Sequence, residues 1–138
     1  MSYQTPEQYL ERLDAKFTKI ELACRCCGLM TFHPSFLEHL HGLRIAFDKP
    51  MSLSSACRCL AHNIREGGAK KSLHIGDTPQ HPGQLGTLAV DVRVPDGAYR
   101  GALFALAWRL GWSIGWGRGF LHLDRRDWVG LPQQTFDY

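Results

Sequence analysis

Leu88-Ala89-Val90-Asp91-Val92-Arg93-Val94 alternates strictly, with Leu88, Val90, Val92 and Val94 on one face and Ala89, Asp91 and Arg93 on the other. Successive side chains of a strand point to opposite faces, so the stretch reads as a half-buried strand with a carboxylate on its open face. Phe120-Leu121-His122-Leu123-Asp124 repeats the pattern: Leu121 and Leu123 face one way, Phe120, His122 and Asp124 the other. If the two strands are neighbours, Asp91 and His122 share one open face.

Around these strands the helix signals come mostly first. Thr5-Pro6-Glu7-Gln8 is a capping box with Pro at the first helical position, predicting a helix to about Phe17. A cysteine-bearing loop ends at Gly28, and Phe36, Leu40, Leu43 and Phe47 then form the stripe of a helix over 34–47. His39 and His41 flank that stripe and read as solvated. Met51 to Ser54 reads as extended, 61–66 as a short helix closed by Gly67-Gly68, and 70–86 as loop. Asp96 is an N-cap for a helix from Gly97 to Leu110, whose Tyr99, Leu103, Leu106 and Leu110 mark it as the main core helix. Trp112, Trp116 and Trp128 read as core or as the lining of a groove. No strand-helix-strand repeat appears, so the expected architecture is α+β with a small, mainly antiparallel sheet, in a single domain over 1–138.

Composition excludes several classes. With 138 residues, 44% apolar and 21% charged, the chain is ordinary globular material, and its net charge of +3 does not announce a nucleic-acid binder. No run approaches the roughly 18 apolar residues that span a bilayer. The lead Met1 to Lys16 is polar, with Glu7, Glu11 and Asp14 and no apolar export core, so a cytoplasmic start without stable membrane insertion is expected. The five cysteines are clustered as Cys24, Cys26, Cys27 and Cys57, Cys59. Reduced thiols, a disulfide between clusters and a second, structural zinc all stay open.

Among seven histidines, His74 ends Ser72-Leu73-His74 on a loop, and His122 lies mid-strand. Two imidazoles and one carboxylate, His74, His122 and Asp91, suit a catalytic Zn2+ that keeps its fourth position for water. Zinc lowers the pKa of that water to about 7, making a hydroxide nucleophile while the ion polarises a carbonyl. Ordinary surface and core histidines would supply the same residue types, so spacing alone leaves both readings open.

The chain resembles the M15 peptidases, zinc D-Ala-D-Ala carboxypeptidases and peptidoglycan endopeptidases of the Hedgehog/DD-peptidase fold, and is most similar to short M15A-like proteins often encoded by phages. Five ordered segments carry the resemblance: 20–28 with Glu21-Leu22-Ala23-Cys24-Arg25-Cys26-Cys27-Gly28; 55–63 with Ser55-Ala56-Cys57-Arg58-Cys59; Gly67-Gly68-Ala69 with Ser72-Leu73-His74; Ala89-Val90-Asp91-Val92; and Gly119-Phe120-Leu121-His122-Leu123-Asp124. The resemblance implies helices packed on one side of the sheet. It implies zinc held by His74, Asp91 and His122, with Arg58 steadying substrate; a structural salt bridge is the other reading of Arg58. Ser55, His62 and Asn63 read as bracing residues. The implied partner is the peptide stem of bacterial peptidoglycan, cut by an endolysin-like monomer released to the wall.

Two departures matter. His74 and Asp91 stand 17 residues apart, wider than the family's usual spacing, which makes the Gly/Pro-rich stretch between them an insertion and His81, with Asp77 behind it, a rival ligand. Gly119 occupies the place, three residues before the last histidine, where many members carry a general base. Asp124 then reads either as a proton relay or as the group that orients His122. Without a base, the alternative is a non-catalytic zinc-bound wall-recognition domain or a phage structural component.

Overall fold

The computed structural model describes residues 4–138, so the first three residues of the polar lead lie outside it. Five strands, β1 (Leu53–Ser55), β2 (Ala89–Arg93), β3 (Ser113–Gly117), β4 (Phe120–Asp124) and β5 (Thr135–Asp137), form one sheet in the order β1-β2-β4-β3-β5. Three pairings are antiparallel and β5 runs parallel to β3, so the small sheet is mixed. With helices α1 (Pro6–Leu10), α2 (Lys19–Leu22), α3 (Phe36–Phe47), α4 (Leu60–Arg65) and α5 (Gly97–Arg109), the class is α+β.

The alternating patterns set the layers. Val90, Val92, Leu121, Leu123 and Ile114 join Phe36, Leu40, Leu43 and Phe47 of α3 and Leu103 and Ala107 of α5 in one core. Burying these side chains supplies the main favourable contribution, about 1.5–3 kcal/mol for each large aliphatic or aromatic group. The predicted caps form: Thr5 and Gln8 bond reciprocally, and Asp96 accepts the Tyr99 N–H at 2.8 Å.

Several expectations are corrected. The first helix ends at Leu10, not Phe17, because Arg12 turns the chain by binding Asp14 through two nitrogens and reaching Glu38 on α3. A second capping box, Thr18 with Glu21, then starts α2, and Leu13 is left in solvent. His41 is buried, not solvated, and hydrogen-bonds the Tyr9 hydroxyl at 2.9 Å. The main core helix is α3, which buries six residues, whereas α5 buries Leu103 and Ala107 and leaves Leu110 exposed. The Asp91 face of β2 is not open: this inner strand is buried on both sides from Ala89 to Val92. Strands β3 and β5 carry no clear pattern in the sequence: Gly115 and Gly117 break the alternation of the first, and the second is three residues long.

Candidate metal centre

Register places Asp91 on β2 directly opposite His122 on β4, so both side chains rise from the same face. His74 comes from the segment after α4 and is held there by its backbone. Its carbonyl accepts from the Arg58 N–H at 2.8 Å and the Thr87 hydroxyl at 2.9 Å, while the Leu88 N–H bonds the Leu73 carbonyl at 2.9 Å. These bonds close the loop between His74 and Thr87 at its base. Within the loop Gln84 is buried and donates to the carbonyls of Ile75 and Gly86, both at 3.1 Å. The loop therefore leaves His74 beside Asp91 despite their separation in sequence.

The three side chains converge. His74 Nε2 lies 3.1 Å from Asp91 Oδ1 and 3.3 Å from His122 Nδ1, and His122 Nδ1 lies 3.1 Å from the same Asp91 oxygen. All three residues are buried. The far ring nitrogens decide what faces inward. His74 Nδ1 stands 2.7 Å from the Ala56 carbonyl oxygen and His122 Nε2 stands 2.7 Å from Asp124 Oδ2. An acceptor at that distance holds the ring proton on the outer nitrogen, so each neutral imidazole turns a lone pair toward Asp91. Three lone pairs pointing at one another repel unless a cation or proton sits among them. Donors about 2.0–2.2 Å from one tetrahedral ion stand about 3.3–3.5 Å apart, close to the separations found, so this donor set fits Zn2+.

Electrostatics agree. Burial pushes the Asp91 carboxyl upward, yet His74 and His122 outweigh it and hold the group well below the usual carboxylate range. Burial disfavours the His122 imidazolium, but Asp124 and Asp91 together raise its pKa; His74, with less compensation, is lowered by its burial.

Arg58 is itself buried, and each guanidinium nitrogen has a protein partner: Ser55 Oγ at 3.1 Å, Asn63 Oδ1 at 3.2 Å and Asp91 Oδ2 at 3.3 Å. It anchors the outer oxygen of Asp91, leaving Oδ1 for the histidines. Asn63 also donates to the Ala69 carbonyl at 3.1 Å, bracing the turn as expected. Asp124 is wholly buried behind His122, where it also accepts three hydrogen bonds from Arg126, at 2.7, 3.0 and 3.0 Å. His81 is outside the cluster, with its Nε2 at 3.1 Å from the Lys71 carbonyl, and Asp77 accepts the Leu60 N–H at 3.0 Å. Gly119 lies in the β3–β4 turn at φ +79° with open space where a side chain would be.

A cleft of about 460 Å³ opens beside Asp91, lined by Arg25, Arg58, His62, Glu66, Phe120 and Tyr138 among others. The last segment carries no motif, yet Tyr138 stacks on the His122 ring at 4.8 Å and Phe136 lies at 5.6 Å from it. The available signal was Gly115: it pairs with His122, and a Cβ there would come within 2.7 Å of the Phe136 ring. Trp112 is core, whereas Trp116 is partly exposed and stacks on Phe104 at 5.1 Å.

Fold and site define a small α+β protein with a buried His-Asp-His cluster of a kind that could hold a metal ion. More particularly, the chain belongs to the peptidase M15 family, whose model matches residues 15–124. No curated protein and no solved structure matches it. Membership implies a hydrolase of the metallopeptidase class, in a family that is in general zinc-dependent. No helix among the described residues is long and apolar enough to cross a membrane.

Proposed function

We propose that this chain is a zinc peptidase of the Hedgehog/DD-peptidase fold, one domain over 1–138, that cleaves the peptide stems of bacterial peptidoglycan as a carboxypeptidase or an endopeptidase. The observation that carries the reading is the convergence of three lone pairs fixed from behind by Ala56 and Asp124. His74, Asp91 and His122 would hold the ion. When bound, Zn2+ supplies an acidified water and a Lewis acid for the scissile carbonyl.

The protein's own residues do the rest. Asp124 keeps the His122 ring oriented with Nδ1 inward, and Arg58 keeps Asp91 turned so that one oxygen faces the histidines. Phe136 and Tyr138 pack against the His122 ring and help hold its orientation. Arg25 and Arg58 give the cleft a cationic wall suited to the carboxylates of stem peptides. Glu66 is the other carboxylate lining this cleft beside Asp91 and would be the candidate proton acceptor, since Asp124 is enclosed behind His122.

The test is incubation of purified chain with defined muropeptides, with and without chelator and zinc add-back, reading product masses. Chelator-sensitive loss of one D-Ala identifies a carboxypeptidase, and a cut within the stem or cross-link an endopeptidase. The vacant position at Gly119 favours a second reading, a zinc-bound wall-recognition domain, which would bind the same muropeptides and leave them uncut.

A further inference from the structure

Away from the histidine cluster, Cys24, Cys26, Cys27 and Cys59 bring four sulfur atoms within 4.8 Å of one another. We propose that these four cysteines form a second, structural metal site that takes Zn2+ as a tetrathiolate. The distances discriminate among the states open to thiols. A disulfide needs sulfurs about 2.05 Å apart, whereas a tetrahedral zinc with bonds of about 2.3 Å sets its sulfurs about 3.8 Å apart. Cys26 and Cys59 Sγ are 3.6 Å apart, and none of the five cysteines is disulfide-bonded.

The backbone around the sulfurs is arranged as a ligand shell. The Cys59 N–H points at Cys24 Sγ at 3.4 Å, and the His62 N–H points at Cys59 Sγ at 3.3 Å, where the sulfur caps α4. Donors of this kind compensate thiolate charge and fix ligand orientation. The Cys24 loop is closed on itself: the Gly28 N–H bonds the Cys24 carbonyl and the Cys24 N–H bonds the Leu29 carbonyl, both at 2.8 Å, with Gly28 at φ +78° making the turn. That closure presents three thiols from four consecutive residues to a fourth, 35 positions along the chain from Cys24. Cys57 is excluded, since its thiol turns away to the Thr31 carbonyl at 3.7 Å.

The site would clip the turn after α2 to the N-terminus of α4. Arg25 lies between two of its ligands and Arg58 immediately precedes a third, and both arginines line the cleft beside Asp91. The ion therefore sets the cationic wall in place without touching substrate. The assignment does not depend on which bond, if any, the histidine cluster cuts.

Cobalt reports on it directly, because sulfur-to-cobalt charge transfer arises only where thiolates bind, and the histidine cluster offers no sulfur. Metal-stripped, reduced full-length chain titrated with Co2+ should develop that near-ultraviolet band, and Zn2+ should abolish it by displacement. Elemental analysis of zinc-loaded protein should give two ions per chain, one fewer in Cys27→Ser and no fewer in Cys57→Ser. The wild-type spectrum carries the test even if Cys27→Ser fails to fold. No charge-transfer band, five reactive thiols in the zinc-loaded chain, or a native mass lighter by one disulfide would overturn the proposal. A band without muropeptide cleavage would support this site while contradicting the peptidase reading.

Discussion

Asp124 shows how one buried carboxylate can govern a site without touching substrate. Its Oδ2 lies 2.7 Å from His122 Nε2, and this bond fixes which nitrogen faces Asp91. Asp124→Asn should weaken zinc binding at the histidine cluster by about 10–100-fold, the usual effect of losing such a partner, as read by competition with a chromogenic chelator. Unchanged affinity would show that the ring is held by Phe136 and Tyr138 instead. Arg58 makes a three-way fork that an ammonium cannot reproduce. Arg58→Lys should lower kcat/KM by about 10–100-fold, with the melting curve showing a folded chain. Asp91 and His122 were legible as residues because strand alternation exposes which face each occupies. Their burial was not, since what covers that face comes from distant segments: the His74 turn and the last residues of the chain.

Elements were legible where one local cause decides them and missed where a tertiary contact does. The stripe of α3 was plain in its spacing, and all four of its residues are in the core. Phe36→Ala should destabilise the chain by about 3–5 kcal/mol, measured by urea unfolding, because Phe36 is fully enclosed and packs on Trp112 and Trp128. Leu13→Ala, at a position that the capping-box reading puts in the first helix, should stay within about 0.5 kcal/mol because Leu13 is wholly exposed. Arg12, bound to Asp14 and Glu38, stops that helix, and no periodicity records such a contact. Strand β5 is a similar case: Thr135–Asp137 is too short to show a pattern, yet it delivers Phe136 to the His122 ring. Gly115→Ala should push the Phe136 ring away and cost about 1–3 kcal/mol by overpacking, with reduced zinc affinity at the histidine cluster.

For the whole molecule, the ordered motifs pointed to the M15 family before any geometry was known, and the family match over residues 15–124 agrees. The sequence could not show how a chain with His74 and Asp91 so far apart brings them together. The structure does: the Leu73–Leu88 and His74–Thr87 bonds fasten the loop between them at its neck, so its length does not displace His74 from Asp91. The same scale holds the relation between the two clusters: Arg25 and Arg58, sequence neighbours of Cys24, Cys26 and Cys59, line the cleft that Asp91 of the His-Asp-His cluster also lines. The most direct measurement is the zinc content of wild-type, His74→Ala, His81→Ala and His122→Ala proteins after equilibration at limiting free zinc. Loss of one ion per chain in His74→Ala and in His122→Ala, with His81→Ala retaining the wild-type content, is the predicted result. Full content in His74→Ala together with loss in His81→Ala would contradict the metal centre assigned to His74, Asp91 and His122.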